Sequence, residues 1–125
     1  MTITYEDVVK AQQTQNKVIR KTNLEFSETF SKICGANVYL KNEYEQKTGS
    51  FKIRGAYYKI KSLTDDEKNK GVVAASAGNH SQGVAFASHI ENIPCTIVMP
   101  KNASPAKVAA TRGYGAKVVL EGTTY

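Results

Sequence analysis

The sequence predicts an α/β fold, doubly wound around a mostly parallel sheet with helices on both faces. From residue 72 onward, short apolar runs alternate with segments of helical length, in the order strand, helix, strand, helix, strand. The predicted strands are apolar along their whole length, and the connections between elements are short. Both features are typical of parallel strands that are joined by right-handed crossover helices and covered on both faces.

Before residue 72 the pattern predicts three helices and one short strand. The helices cover residues 5–19, 24–33 and 51–63, and the strand covers residues 38–40. Thr4 is a suitable N-cap for the first helix, since Glu6 and Asp7 follow in its first turn. Gly35 is a typical stop for the second helix. The third helix carries apolar residues at helical spacing, from Ile53 to Leu63.

The remaining elements follow one another closely. The predicted strands cover residues 72–75, 96–99 and 117–120, and the predicted helices cover residues 79–91 and 104–112. Pro105 is a favourable first-turn residue for the last of these helices. The pattern changes after the polar stretch from Thr64 to Gly71, for which no element is predicted.

Composition and charge exclude several classes of protein. The chain has 125 residues, of which 41% are hydrophobic, and a formal net charge of +6. Its cations are scattered and do not alternate with aromatics, so we expect no nucleic-acid partner. Cys34 and Cys95 lack metal-ligand spacing, so we expect free thiols and no metal. The chain has neither a signal peptide nor an apolar run of membrane length, so we expect a cytoplasmic protein without a membrane partner.

Two loops at predicted strand ends could carry chemistry, because ligands of open parallel sheets bind there. The first, "TGSFK", places Lys52 in the first turn of a helix. The positive end of that helix, helped by Arg54, favours the neutral amine, which is a nucleophile toward carbonyl groups. The second, "SAGNHSQG", offers small residues and free backbone amides that suit an anion. Alternatively, Lys52 is a solvated surface lysine, and the second loop is a tight turn in which Asn79 caps the helix.

Longer motifs around these loops resemble the fold-type-II pyridoxal-phosphate enzymes, whose fold is that of the tryptophan synthase β subunit. They read "KNEYEQKTGSFKIRGA", "GVVAASAGNHSQGVAFA" and "PCTIVMPKNASPAKVAATRGYGAKVVLEG". The resemblance implies that Lys52 forms a Schiff base with pyridoxal phosphate and then removes the Cα proton of the substrate. It further implies that Phe51 packs near the cofactor ring and that Asn79 binds its phenolic oxygen. The residues implied to hold the substrate carboxylate are Ser76, Ala77, Gly78, Asn79 and His80.

Within this family the chain is most similar to the serine/threonine dehydratases. Its sequence motifs most resemble those of the catabolic threonine dehydratases. The resemblance implies dehydration and deamination of L-threonine to 2-oxobutanoate, and of L-serine to pyruvate, with release of ammonia. A serine racemase or another β-eliminating member is an alternative. Racemases generally carry a second serine as an acid-base group where this chain has Ala77, so Ala77 favours a dehydratase. A fragment without independent function is the non-enzyme alternative.

The resemblance also predicts how the chain is divided. Residues 1–70 would be the N-terminal part of a large cofactor domain that includes Lys52, and residues 71–125 would be most of a small α/β domain. The chain is expected to be the front part of a longer protein that forms a homo-oligomer. It contains no glycine-rich loop of the kind that grips the cofactor phosphate in this family. We therefore expect these 125 residues alone to bind the cofactor weakly and to turn over little.

Overall fold

The fold was analysed in a computed structural model, which describes residues 2–123. This part of the chain contains six helices and five strands. The helices are α1 (Tyr5–Gln15), α2 (Glu28–Cys34), α3 (Lys52–Lys61), α4 (Asp65–Lys70), α5 (Asn79–Ile90) and α6 (Pro105–Gly113). The strands are β1 (Leu24–Phe26), β2 (Tyr39–Lys41), β3 (Val72–Ala75), β4 (Cys95–Met99) and β5 (Lys117–Leu120), and a 3₁₀ turn covers Glu43–Glu45.

The second half of the chain forms a parallel sheet in the order β3-β4-β5, which confirms the predicted α/β class. Ala74, Ile97 and Val118 lie side by side in its register. Both crossovers run in the same direction, so right-handed connections place α5 and α6 on one face of the sheet. Over residues 2–123 no helix covers the opposite face, where Val73 is 76% exposed.

The core lies between this sheet and α3, with α5 in the middle. Ile53, Ala56, Tyr57 and Ile60 form one buried stripe along α3, at the spacing that places side chains on one helix face. This stripe packs against α5, which in turn covers Ile97 of the central strand. The core therefore holds the start of α3 and the start of α5 in one rigid arrangement.

The predicted helix over residues 24–33 begins too early. Leu24–Phe26 form a strand that pairs antiparallel with Tyr39–Lys41, and only then does Ser27 cap α2 by accepting a hydrogen bond from the amide of Phe30. Local apolar spacing cannot distinguish these two states, because the strand depends on a partner later in the chain. The predicted stop is confirmed, since Gly35 adopts a left-handed conformation with φ of 65°.

The polar stretch before residue 72, for which the sequence predicts no element, contains helix α4. Thr64 and Glu67 form a reciprocal capping box at the start of α4, and Gly71 ends it. Helix α1 ends at Gln15, four residues earlier than predicted, although its Thr4 cap is confirmed. Strands β3 and β5 have the predicted bounds, and the other predicted ends lie within two residues of the observed ones. None of the helices described is long and apolar enough to cross a membrane.

Candidate active site

The first loop brings Lys52 to the beginning of α3. Gly49 turns the chain with a φ of 69°, and Phe51 occupies the N-cap position without giving a side-chain hydrogen bond to the helix. The hydroxyl groups of Thr48 and Ser50 are buried and have no hydrogen-bond partner in the protein. Buried polar atoms without partners are uncommon in folded proteins, so these two mark a place where a polar ligand or water is needed.

Lys52 is exposed, and its ammonium group lies 5.1 Å from the centroid of the Phe51 ring. Arg54 turns the other way and forms two hydrogen bonds of 2.7 Å with the carboxylate of Glu43. This ion pair offsets the charge of Arg54, so the expectation that Arg54 adds positive potential at Lys52 is not supported. The uncapped end of α3 remains as the source of positive potential at Lys52.

The second loop connects β3 to α5 and follows the parallel sheet directly. The amide of Ser76 donates to the carbonyl of Val98, which continues the β3–β4 pairing by one residue. Gly78 is the N-cap and has no side chain to satisfy the first amides of α5. Asn79 is the first residue of the helix and not its cap, so the alternative in which Asn79 caps α5 is wrong. The amide of Gly78 donates to Oγ of Ser76 over 3.3 Å, and the first amides of α5, which no side chain caps, suit a carboxylate or phosphate.

A close contact between α3 and α5 brings the two loops together. An ideal Cβ built on Gly83 would lie 3.2 Å from the backbone nitrogen of Ile53 and 3.2 Å from the carbonyl carbon of Lys52. The backbone of Lys52 therefore packs directly on α5 at Gly83. Gly83 lies about one helical turn after Asn79 and His80. Sequence reasoning missed this role of Gly83, although a glycine inside a helical pattern is a signal of close packing.

Residues of helix α6 contact the second loop and the first turn of α5 through hydrogen bonds. The hydroxyl of Ser81 donates to the carbonyl of Gly78 over 2.6 Å and lies 3.3 Å from the hydroxyl of Thr111. Both side chains are fully buried. The ammonium group of Lys107 donates to Oδ1 of Asn79 over 2.9 Å. These three residues lie inside the quoted motifs, but sequence reasoning gave them no role, because their contacts join segments that are far apart in the chain.

His80 and Asn79 lie on the exposed first turn of α5. His80 lines a groove of about 270 Å³ together with residues of α3 and β3, among them Gly55 and Val73. A larger cleft of about 610 Å³ lies between α1 and Arg54 and contains none of the predicted site residues. The loop that carries Lys52 follows the 3₁₀ turn and not a strand of the parallel sheet, so its predicted place at a parallel-strand end is wrong. We regard the two loops as the candidate site, because they combine a lysine with two uncapped helix ends. Among residues 2–123 no cluster of three or more His, Cys, Asp or Glu side chains could hold a metal ion.

These features fit pyridoxal phosphate, the cofactor implied by the sequence motifs. It carries an aldehyde that reacts with an amine, an anionic phosphate and a phenolic oxygen. Lys52 supplies the amine, and the uncapped starts of α3 and α5 supply amide donors and positive potential. The unpartnered hydroxyls of Thr48 and Ser50 flank the same loop. The residues present are therefore chemically suited to this group.

Comparison with known proteins agrees with this fit. The family profile described as "Pyridoxal-phosphate dependent enzyme" matches residues 16–125. The chain is 54% identical over 123 residues to an L-threonine ammonia-lyase from Thermotoga maritima, covering 98% of this chain and 31% of that protein. It is 49% identical to the catabolic L-threonine dehydratase TdcB from Escherichia coli K12, covering 98% of this chain and 37% of that protein.

Among solved structures, serine racemase from Dictyostelium discoideum is similar with a TM-score of 0.92 and 40% identity, covering 99% of this chain and 40% of that one. The chain thus spans about a third of the length of the curated relatives that it matches. The family profile covers most of the 125 residues, and the two site loops lie inside the match. The chain therefore belongs to the family of pyridoxal-phosphate dependent enzymes.

Proposed function

We propose that this chain forms part of a pyridoxal-phosphate-dependent ammonia-lyase. The enzyme would eliminate water from L-threonine or L-serine, and hydrolysis of the resulting enamine would then return one water and release ammonia. The net products would be 2-oxobutanoate and ammonia from L-threonine, and pyruvate and ammonia from L-serine. The names of the relatives at 54% and 49% identity support L-threonine as the substrate class. The observation that carries the proposal is the packing of the Lys52 backbone on Gly83, which sets a lysine beside the uncapped start of α5.

Each site residue has a role in this proposal. When bound, the cofactor supplies an electron sink that stabilises the carbanion formed at the substrate Cα. Lys52 would hold the cofactor through its amine and accept the Cα proton. Phe51, whose side chain is 57% exposed, would pack beside the cofactor ring. The turn from Ser76 to His80, including Ala77 and Gly78, would bind the substrate carboxylate through backbone amides and small side chains.

Ala77 separates the proposed lyase from a racemase. Racemisation needs a proton donor on the face of Cα opposite the base, and a methyl group carries no transferable proton. Elimination needs proton removal from one face only, which Lys52 alone would provide. The similarity in fold to a serine racemase does not distinguish the two reactions, because one fold supports several chemistries.

The proposal extends to the organisation of the protein. Residues 1–70 would belong to the larger cofactor domain, and residues 71–125 would belong to the smaller α/β domain. The assembled enzyme would be a cytoplasmic homo-oligomer that acts on a small amino acid, without a nucleic-acid or membrane partner. In this division the close contact of α3 with α5 joins the two domains at the site.

Borohydride trapping tests the lysine assignment. The chain is mixed with pyridoxal phosphate, reduced with borohydride, digested and mapped by mass spectrometry. The proposal expects the label at Lys52 and its loss in Lys52→Ala. Lys59→Ala is the matched control, because Lys59 is an exposed lysine on the same helix. Labelling that spreads over surface lysines, or that survives Lys52→Ala at the same level, would overturn the assignment.

Product analysis tests the reaction class. Because the 125 residues alone are expected to turn over little, the assembled enzyme that contains this chain is loaded with the cofactor and incubated with L-threonine or L-serine. Keto acids and amino-acid enantiomers are then measured separately. 2-Oxobutanoate and ammonia in equal amounts would support the lyase. D-Serine without keto acid would support the racemase alternative. Neither product, together with no label at Lys52, would favour a chain without independent function.

A further inference from the structure

Lys107 makes a contact that the catalytic proposal does not use. It is the third residue of α6, and its Nζ lies 2.9 Å from Oδ1 of Asn79, the first residue of α5. Lys107 is half-buried, whereas Asn79 is exposed at the open side of the loop. The pair therefore links the first turn of α6 to the first turn of α5, directly beside the candidate site.

The chemistry of this contact fixes the side-chain amide of Asn79. A lysine ammonium group has donors and no acceptor, so only the oxygen of the amide can face it. The NH2 group of Asn79 must then point away from Lys107, and it can only donate. We infer that Lys107 is a positioning residue that holds the Asn79 amide with its NH2 group available to the phenolic oxygen of the cofactor. This inference rests on the role proposed for Asn79.

The backbone around Lys107 is anchored well enough for this role. The buried hydroxyl of Thr111 donates to the carbonyl of Lys107 over 2.9 Å and lies 3.3 Å from the hydroxyl of Ser81. Ser81 in turn donates to the carbonyl of Gly78, just before Asn79. Lys107 and Asn79 are thus attached to one buried polar cluster, which limits the movement of one relative to the other.

Within residues 2–123, Lys107 is the one group that hydrogen-bonds the side-chain amide of Asn79, and the N-cap of α5 is a glycine without a side chain. Without Lys107 the amide could rotate by half a turn and present its oxygen to an oxygen of the cofactor. Two acceptors facing each other repel, so that rotamer would weaken binding.

The test uses the 125-residue chain and four variants. Lys107→Met removes the donor and the charge, Lys107→Gln keeps a donor without the charge, and Lys107→Arg keeps both. Lys101→Met is the matched control, because Lys101 is an exposed lysine whose ion pair with Glu121 lies outside the site. In the unliganded protein, NMR measures the side-chain amide signals of Asn79 and their exchange with water. Absorbance titration and borohydride trapping then measure binding of pyridoxal phosphate.

We expect Lys107→Met to shift the Asn79 side-chain signals and to speed their exchange with water. We also expect it to weaken cofactor binding about tenfold, because the loss corresponds to one hydrogen bond. Lys107→Arg should restore binding to within about twofold, and Lys107→Gln should retain the signals of Asn79. Lys101→Met should match the unmodified chain. In an Asn79→Ala background, Lys107→Met should have no further effect on binding, because the residue acts through Asn79.

Two outcomes would overturn the inference. The first is an unchanged set of Asn79 side-chain signals in Lys107→Met. The second is the same loss of cofactor affinity from Lys107→Met with and without Asn79, which would make the effect one of charge alone. Failure of the proposed function is recognised separately, by the absence of label at Lys52 in the unmodified chain. The NMR signals still decide the orientation of Asn79 in that case.

Discussion

At the scale of single residues, Glu43 is the most strongly bound charge near the site. Its carboxylate accepts two hydrogen bonds from Arg54 and one from the hydroxyl of Thr22, each 2.7 Å long. The hydrogen bonds from Arg54 lower the pKa of Glu43 from 4.5 to about 2, against the opposing effect of burial. Because Arg54 is in the first turn of α3, this pair ties the start of that helix to the 3₁₀ turn.

We expect acid to weaken the fold through Glu43. Its pKa is lower in the folded state than in the unfolded chain, so its contribution is complete above about pH 5. The contribution is lost as the pH falls toward 2. Glu43→Gln should cost about 2 kcal/mol at pH 7, after allowance for the partial exposure of Arg54. It should also flatten the acid side of the stability profile, measured by urea unfolding from pH 7 to 3. Equal acid slopes in both proteins would contradict this account.

At the scale of elements, the contact of α3 with α5 determines where Lys52 lies. Glycine inside a helix normally weakens it, and Gly83 is fully enclosed in the middle of α5. The backbone of Lys52 and Ile53 fills the space that a side chain would need there. Gly55 on α3 provides a contrast, because no atom lies within 4 Å of the Cβ that alanine would add.

We expect Gly83→Ala and Gly55→Ala to change stability in opposite directions. Gly83→Ala should lower the free energy of unfolding by about 1–2 kcal/mol and reduce labelling of Lys52, since α3 must move by a few tenths of an ångström. Gly55→Ala should raise the free energy of unfolding by about 0.5–1 kcal/mol through helix propensity. Thermal and urea unfolding measure both. A stabilising Gly83→Ala would show that the helix contact is looser than described.

A second connection joins the far ends of the same two helices. Glu91 accepts a hydrogen bond of 2.7 Å from the hydroxyl of Tyr57 and one of 2.8 Å from Lys61. Burial and the neighbouring Glu91 raise the pKa of Tyr57 to about 12. Burial also acts to raise the pKa of Glu91, but the hydrogen bonds from Lys61 and Tyr57 outweigh it, and the pKa of Glu91 is lowered.

We expect alkali to weaken this connection. The pKa of Tyr57 is raised on folding, so its contribution is complete below about pH 10 and is lost as the pH rises toward 12. Tyr57→Phe should reduce stability at pH 8 by roughly 1–2 kcal/mol and flatten the decline above pH 10. Tyr58→Phe is the control, because the neighbouring Tyr58 is less buried. If both variants keep the alkaline slope of the unmodified chain, Tyr57 is not its cause.

At the scale of the whole molecule, burial is uneven. The central strand β4 carries Ile97 and Met99, which are 0% and 1% exposed, and helices cover this face of the sheet. Strands β1 and β2 form a two-stranded sheet in which every residue is exposed. Leu24, Phe26 and Tyr39 are each more than half exposed there. A two-stranded sheet with so little burial is marginally stable in water.

We therefore expect the rates of amide hydrogen exchange to differ between the two sheets. Backbone amides of β4 should exchange with the global unfolding of the protein, whereas amides of β1 and β2 should exchange at least about tenfold faster through local opening. Exchange monitored by NMR at neutral pH measures the difference. Equal protection of both sheets would mean that the small sheet is held by contacts other than those described.

The sequence by itself determined the α/β class, the bounds of β3 and β5, the helix stop at Gly35, and the loops that carry Lys52 and Asn79. These features depend on local physics, namely apolar periodicity, glycine at a left-handed turn and helix starts after short turns. The capping box of Thr64 and Glu67 was also readable, but α4 is too short for its periodicity to indicate a helix.

Only the tertiary structure decided that Leu24–Phe26 is a strand, that Arg54 turns to Glu43, that Gly83 receives the backbone of Lys52, and that Lys107 binds Asn79. Each of these facts joins residues that are distant in the chain or depends on the direction of a side chain after packing. Local propensity carries no information about such partners, because their energies arise only when separate elements come into contact. The sequence thus supplied the candidate site residues, and the packing of α3 on α5 brought their two loops together.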